Sequence, residues 1–237
     1  METRVDEIAD GVYRIATHHE EIDLLFNQYL LDAEQPLLFH TGHRAQFPTV
    51  SEAVGRVMPP ERVRWISFSH FEADECGSMN QWLEAAPDAE LAHTFLGVLV
   101  TLADVAARPP RGLADGEVLD LGGKRVRHLA TPHVPHAWDS GFLFEEVTGT
   151  LLTSDLFTAM GQWPVVTEDD IVEPALATEE VYRSTPLTAQ TAPTMRRLAE
   201  LAPRTLALMH GPAFTGDGGA MLEGLADRYE ALFRETL

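Results

Sequence analysis

A short acidic stretch after an apolar run contains the densest group of potential metal ligands in the sequence. The run covers residues 63–68, and one imidazole and three carboxylates follow it within six residues: His70, Glu72, Asp74 and Glu75. An apolar run bounded by turn residues is typical of a buried strand, so the side chains after it can converge at the strand end. Buried carboxylates repel one another and lose solvation unless a cation compensates them. The stretch therefore indicates a metal site, with an exposed acidic turn as the alternative in a chain this acidic.

Three further candidate ligands occupy the same local position, each shortly after an apolar, strand-like run. They are His136 after residues 125–131, Asp155 after residues 151–154, and His210 after residues 206–209. Loops at strand ends are where layered α/β folds gather functional residues. Taken alone, Asp155 could cap a turn or helix, His210 could end a strand, and His133 or His136 could lie in a surface loop. Together, four strand ends with histidine or carboxylate predict one constellation, and the number of ligands favours two ions.

The elements that must position these ligands follow from hydrophobic periodicity. Residues 7–17 alternate apolar and polar side chains, and with the short apolar runs 26–31 and 36–39 they predict an antiparallel meander. A helix at 50–57 precedes the buried strand at 63–68. The remaining predicted elements are a helix at 79–85, a strand at 90–93, a helix at 96–107, hairpins at 116–130 and 142–153, a less ordered acidic stretch at 167–173, helices at 179–182 and 191–201, a strand at 205–209 and a helix at 219–233.

The composition excludes several classes of function. Lys and Arg number 17 against 37 Asp and Glu, and the net charge of −20 argues against a nucleic-acid partner, which requires a basic face. A length of 237 residues fits a single domain covering residues 1–237.

The expected compartment follows from the cysteine count and the amino terminus. Cys76 is the only cysteine, which fits a reducing compartment. Because residues 1–7 lack a signal-peptide pattern and the apolar stretch 95–107 is too short to span a bilayer, we expect a cytoplasmic protein without a membrane partner.

Four short motifs occur in a fixed order along the chain. They are His-x-Glu-x-Asp at 70–74, Thr-Pro at 131–132 followed by His136 and Asp-Ser, Ser-Asp at 154–155, and His-Gly-Pro at 210–212. Their combination resembles the metallo-β-lactamase-like domain of flavodiiron proteins and the related oxygen-binding diiron proteins. The resemblance covers nearly the entire chain, since residues 11–13 and 27–31 are similar to the first strands of that family. It implies an α+β fold, a four-layered αβ/βα metallo-β-lactamase-like sandwich.

The resemblance also implies a role for each ligand. By similarity, the first iron is bound by His70, Glu72 and His136, the second by Asp74 and His210, and both by a bridging Asp155. His133 is a rival to His136, because the loop at 131–140 is irregular against the family pattern. We favour His136, because Trp-Asp-Ser follows it at nearly the expected distance.

Two positions depart from the family pattern. The family generally has histidine immediately after the Asp of its first motif, where this chain has Glu75. Glu75 therefore either binds the second metal through oxygen or leaves that position to water. The strand end before the first motif generally carries an acidic residue, where this chain has His40. We expect His40 to alter the support behind the ligands.

The ligand types bear on the choice of metal. Zinc hydrolases of the same superfamily resemble His-x-His-x-Asp-His, whereas Glu72 and Glu75 replace two of those histidines here. Anionic oxygen donors stabilise trivalent charge better than imidazoles do, so the site suits two iron ions cycling between Fe2+ and Fe3+. Manganese and zinc are the alternatives.

The resemblance implies a protein that binds and reduces a diatomic gas, O2 or NO. In flavodiiron proteins a flavodoxin-like domain of the same chain supplies electrons, and this sequence ends soon after its last predicted helix, so we expect a separate electron donor. The alternatives are an oxygen-binding sensor with a signalling partner protein and a dinuclear metallohydrolase that cleaves an ester or thioester. A homodimer is left open. Candidates for lining the gas pocket are Phe71, Trp138, Trp163 and the pair His18-His19.

Overall fold

Two seven-stranded β-sheets form the centre of the fold, which a computed structural model describes for residues 3–236. The strands of the first sheet are β1 Thr3–Ala9, β2 Val12–His19, β3 Leu24–Leu31, β4 Leu37–Phe39, β5 Trp65–Ser67, β6 Glu90–Thr94 and β7 Arg111–Leu113. Those of the second are β8 Val118–Asp120, β9 Arg125–Ala130, β10 Gly141–Glu145, β11 Thr150–Ser154, β12 Val166–Thr167, β13 Thr205–Leu208 and β14 Ala213–Thr215.

The helices lie between and after these strands. They are α1 Phe47–Gly55, α2 Ala73–Cys76, α3 Met79–Ala85, α4 Phe95–Gly97, α5 Ala103–Val105, α6 Val172–Tyr182, α7 Thr191–Ala199 and α8 Gly218–Glu235. Two 3-10 turns, Arg44–Gln46 and Pro60–Arg62, precede α1 and β5, and a π-helical segment, Val98–Leu102, joins α4 to α5. No helix in the described range 3–236 combines the length and apolar character needed to cross a membrane.

The first sheet begins as an antiparallel meander and continues as parallel strands. Its order is β1 to β7 in sequence, with β1–β4 antiparallel and β4–β7 parallel. The meander predicted from the alternating runs is confirmed. Parallel pairing places the carboxyl ends of β4 and β5 at one edge of the sheet, where ligand loops begin.

The second sheet has the order β12-β14-β13-β11-β10-β9-β8. Its hairpin β8–β9 turns through Gly122 and Gly123, whose φ angles of 73° and 84° suit glycine. Strands β11 and β13 are neighbours and run parallel, so their carboxyl ends also meet at one edge. Both predicted hairpins are confirmed.

Alternating side chains on the strands fill two kinds of interface. On β3, Tyr29 and Leu31 join the apolar cluster between the two sheets, while Leu30 joins the cluster under the first helix layer. This alternation follows from the period of two along a strand. A third cluster packs the second sheet against α6, α7 and α8. The result is the expected four-layered αβ/βα sandwich.

Some elements differ from the sequence prediction. Helix α6 begins at Val172, within the stretch expected to be less ordered, because the Asp170 carboxylate accepts hydrogen bonds from the Val172 and Glu173 amides at 3.0 and 3.2 Å. The strands β7, β12 and β14 were not predicted, because two or three residues carry too little periodicity.

Candidate metal centre

The predicted ligands meet because the loops that carry them leave neighbouring strand ends. His70 follows β5, and the short helix α2 then carries Asp74. Asp155 directly follows β11, and His210 follows the adjacent parallel strand β13. His136 comes from the loop between β9 and β10. The constellation predicted from four strand ends is therefore present as a cluster at one edge of the sandwich.

Four side chains form the first half of the cluster. His70, Glu72, His136 and Asp155 each offer a ligand atom within 4.8 Å of the others. The Glu72 Oε2 atom lies 2.9 Å from His70 Nε2 and 3.0 Å from His136 Nε2. Asp155 Oδ2 lies 3.6 and 3.4 Å from the same two nitrogens. Two imidazoles and two carboxylates at these distances make a set of donors for one metal ion.

A second group shares Asp155 with the first. Its other oxygen, Oδ1, lies 3.3 Å from His210 Nε2, which in turn lies 3.4 Å from Asp74 Oδ2. Oδ1 is buried, yet it has no hydrogen bond of normal geometry to any residue in the described part of the chain. A buried carboxylate oxygen is costly without a partner. The two oxygens of Asp155 thus face separate groups of donors, the arrangement that a bridging carboxylate requires.

Hydrogen bonds behind the ligands fix which ring nitrogen faces the cluster. The Nδ1–H of His210 donates to the Leu25 carbonyl at 2.8 Å, which leaves Nε2 toward Asp74 and Asp155. His70 Nδ1 lies 3.1 Å from Ser69 Oγ, and its Nε2 faces Glu72. Such contacts orient metal-binding imidazoles in proteins.

The carboxylates and imidazoles shift one another's pKa strongly. Burial alone would lower the pKa of His70, but Glu75, Glu72 and Asp155 outweigh it and raise that pKa to about 10. Burial likewise opposes, and Asp155 with Asp74 produces, a rise in the pKa of His210 to about 10. Hydrogen bonds from His136 and His70 lower the pKa of Glu72 to about 2. Without a metal, protons on the imidazoles balance the negative charge of this cluster.

His136 rather than His133 belongs to the cluster. His133 is exposed, with its backbone at a φ of 65°, and it is not among the converging donors of the described residues. The structure thus places His136, which the spacing to Trp138 favoured, beside the other candidate ligands.

The Glu75 side chain lies outside the group of converging donors that contains Glu72 and Asp155. Its side chain is fully buried behind His70, where Oε2 accepts a hydrogen bond from the His70 amide at 2.8 Å. Its Oε1 accepts a short hydrogen bond from the Ser154 hydroxyl. Of the two expectations for Glu75, the geometry does not favour direct binding to the second metal, because both oxygens are already engaged with the protein.

A cleft of about 650 Å³ opens beside the cluster and reaches Glu72 and Asp74. Gln46 joins two imidazoles in it: its Oε1 lies 3.2 Å from His43 Nδ1, and its Nε2 lies 2.6 Å from His19 Nε2. Of the aromatic and histidine residues predicted to line a gas pocket, only His19 lines this cleft. His18 and Trp163 line a separate hollow of about 340 Å³, and Trp138 lines one of about 240 Å³. Sequence reasoning missed Phe26, His43 and Gln46, which carry no local motif.

The loops of the cluster are joined by a buried pair that the sequence did not reveal. Asp139 Oδ2 lies 3.1 Å from His93 Nε2 and accepts a hydrogen bond from the Phe71 amide at 3.1 Å. The His93 ring lies 3.1 Å from the Phe68 carbonyl through Nδ1. The pair therefore connects the loop of His70 with the loop of His136.

The sequence that forms this site matches a known protein family. Residues 24–211 match the family described as ODP family beta lactamase. The chain belongs to this family. The ODP family protein is 27% identical over 196 residues to the putative diflavin flavoprotein A 1 of Nostoc sp., an alignment that covers 79% of this chain and 33% of that protein. It is 26% identical over 204 residues to the rubredoxin-oxygen oxidoreductase of Megalodesulfovibrio gigas, with 81% of this chain and 49% of that protein covered.

Solved structures give the same fold. The flavodiiron protein from Giardia intestinalis superposes on this ODP family protein with a TM-score of 0.79 at 16% identity, covering 97% of this chain and 60% of that one. The resemblance to the metallo-β-lactamase-like domain of flavodiiron proteins is thereby confirmed. The chain spans about a third of the length of the diflavin flavoprotein and about half that of the oxidoreductase.

Proposed function

We propose that this ODP family protein is a non-haem diiron protein that binds O2 or NO and reduces it with electrons from a separate donor. The observation that carries the proposal is that the two oxygens of Asp155 face different groups: Oδ2 faces His70 and His136, and Oδ1 faces His210. The names of two relatives, a rubredoxin-oxygen oxidoreductase and a diflavin flavoprotein, agree with a redox role.

In this proposal the first iron is held by His70, Glu72 and His136, and the second by Asp74 and His210. Asp155 holds both. The three carboxylates in this set favour iron over metals that prefer imidazole-rich sites. When bound, a pair of irons supplies the one-electron redox steps that reduction of a diatomic gas requires.

The protein's own residues then define access and orientation. The side chains of His70, Asp155 and His210 are 1%, 11% and 9% exposed, so bulk water is largely excluded from the ligand atoms. Glu72 is 52% exposed and lines the cleft, which makes the cleft side the route to the site. Burial lowers the pKa of His19, so a neutral imidazole stands at the cleft wall.

The test is to load the protein anaerobically with ferrous ion and mix it with O2 or NO in the presence of a supplied reductant. Repeated consumption of the gas with two irons bound per chain supports the proposal. A long-lived oxygenated adduct without turnover would instead indicate a sensor. Ester or thioester cleavage with zinc, independent of reductant, would indicate a hydrolase.

Anomalous scattering at the iron edge locates the ions independently of turnover. The proposal expects two peaks about 3.5–4 Å apart, the separation usual for two-metal sites. Asp155→Ala is expected to lose at least one of them. A single peak in the unchanged protein, or two peaks away from Asp155, would overturn the assignment.

A further inference from the structure

Two fully buried side chains behind the candidate ligands lie against each other. His40 Nε2 is 3.4 Å from Glu75 Oε1, and both side chains are fully buried. We propose that His40 and Glu75 form a buried pair that holds His70 and the Ser154–Asp155 turn. Glu75 is then a positioning residue for both metal sites and a ligand of neither.

Glu75 contacts two segments that carry candidate ligands, at His70 and at the residue before Asp155. Oε2 accepts a hydrogen bond from the His70 amide at 2.8 Å, and Oε1 lies 3.4 Å from His70 Nδ1. The same Oε1 accepts from the hydroxyl of Ser154, the residue directly before Asp155. One side chain therefore holds the backbone of His70 and the turn that carries Asp155.

His40 faces Glu75 because of where β4 ends. It directly follows β4, whose neighbour β5 leads to His70, and its backbone has a left-handed φ of 63°. Neither ring nitrogen of His40 has a hydrogen bond of normal geometry to a residue in the described range. A fully buried imidazole on a left-handed backbone, which most residues avoid, requires a compensating partner. Glu75 is the polar side chain that lies beside it.

The consequence for a bound metal follows from the chemistry of imidazole ligands. A histidine that binds metal through Nε2 commonly gives its Nδ1–H to a carboxylate, which orients the ring and makes it a stronger donor. Behind His70, Nδ1 lies 3.1 Å from the Ser69 hydroxyl and 3.4 Å from Glu75 Oε1, so Glu75 stands close to the ring beside its hydrogen-bond partner. If His70 held an iron ion, a negative charge on Glu75 close behind the ring would favour the ferric state and lower the reduction potential of the site. This effect on iron rests on the proposed function, whereas the contact with His40 does not.

The pair itself is tested with metal-free protein and four variants of the full chain. His40→Asp sets a second buried carboxylate beside Glu75, and Glu75→His sets a second imidazole beside His40. Each single change is expected to lower the melting temperature, and His40→Asp combined with Glu75→His is expected to lower it by clearly less than the sum of the two single losses. The exposed Glu61→Gln serves as a matched control with no change. Additive losses in the double variant would overturn the pair.

The positioning role is tested with Glu75→Gln, which keeps the shape and removes the group that can ionise. At saturating ferrous ion this variant is expected to bind two irons, with affinity about 10–100-fold weaker. Its midpoint potential is expected to shift to more positive values than that of Glu61→Gln. A fall to one iron per chain would make Glu75 a ligand, and an unchanged potential would remove its influence on His70. If the unchanged protein binds no iron, the proposed function fails, while the thermal test of the pair still stands.

Discussion

The carboxylate of Asp139 lies 3.1 Å from the buried ring of His93, and the pair joins two loops that carry ligands. The side chains are 3% and 1% exposed. Asp139 also accepts the Phe71 amide, directly after His70. Hydrogen bonds from His93 lower the pKa of Asp139 despite its burial, which by itself would raise it. The loop geometry at the cluster therefore depends on an interaction outside it.

Asp139→Ala is expected to reduce the free energy of unfolding by about 3 kcal/mol, because it leaves the buried His93 and the Phe71 amide without their partner. Urea denaturation of the metal-free protein measures the loss. The exposed Asp88→Ala is the matched control and should change stability by less than about 0.5 kcal/mol. A loss for Asp139→Ala as small as the control's would show that the pair adds nothing to the fold.

His136→Ala is expected to reduce bound iron from two ions toward one, because His136 Nε2 is 3.0 Å from Glu72 and 3.4 Å from Asp155. His133→Ala, three residues earlier on the same loop, is the control and should retain both ions, since His133 is exposed. Metal analysis after anaerobic loading and desalting compares the two. Loss of iron in His133→Ala but not in His136→Ala would reverse the assignment.

The sequence predicted which candidate ligands converge where those residues follow a local pattern. His70, Asp155 and His210 each follow an apolar strand, and parallel neighbours such as β11 and β13 bring such ends together. The preference for His136 over His133 rested on spacing within one loop. These features are local or repeat from strand to strand, so a single sequence carries them.

Features that depend on contacts between distant parts of the chain could not be predicted from the sequence. Glu75 contacts Ser154, 79 residues later in the chain, and His40, which precedes it with helix α1 and strand β5 in between. The cleft wall combines His19 and Gln46, which are 27 residues apart. Hydrophobic periodicity gives the face on which a side chain lies, but not which side chain of another element it meets.

Tyr29→Phe is expected to reduce the free energy of unfolding by about 1 kcal/mol, the net value of a buried hydrogen bond. The Tyr29 hydroxyl is fully buried and donates to the Leu208 carbonyl at 2.6 Å, just before His210. Because Asn27 also donates to that carbonyl at 2.8 Å, the His210 loop should keep its place and iron binding should persist. Tyr182→Phe at an exposed position is the control. Loss of iron in Tyr29→Phe would show that Asn27 alone cannot hold the loop.

Iron loading is expected to tighten as pH rises from 6 to 8. In the metal-free protein the pKa values of His70 and His210 are raised to about 10, so both rings carry protons that a metal must displace. Glu72, with its pKa lowered to about 2, is already ionised throughout this range. Anaerobic titration with ferrous ion at several pH values measures the affinity, and an indicator dye in weak buffer measures the released protons.

The metal-free fold should respond to pH in the opposite direction. An imidazole whose folded pKa lies above its unfolded value of about 6.5 contributes its full stability below that value, and the contribution is lost as pH rises toward 10. His70 and His210 both have this sign, so the apo protein should lose stability between pH 7 and 10 while the loaded protein does not. The two melting temperatures measured side by side across that range decide the matter. Parallel curves would mean that the cluster does not exchange protons for metal.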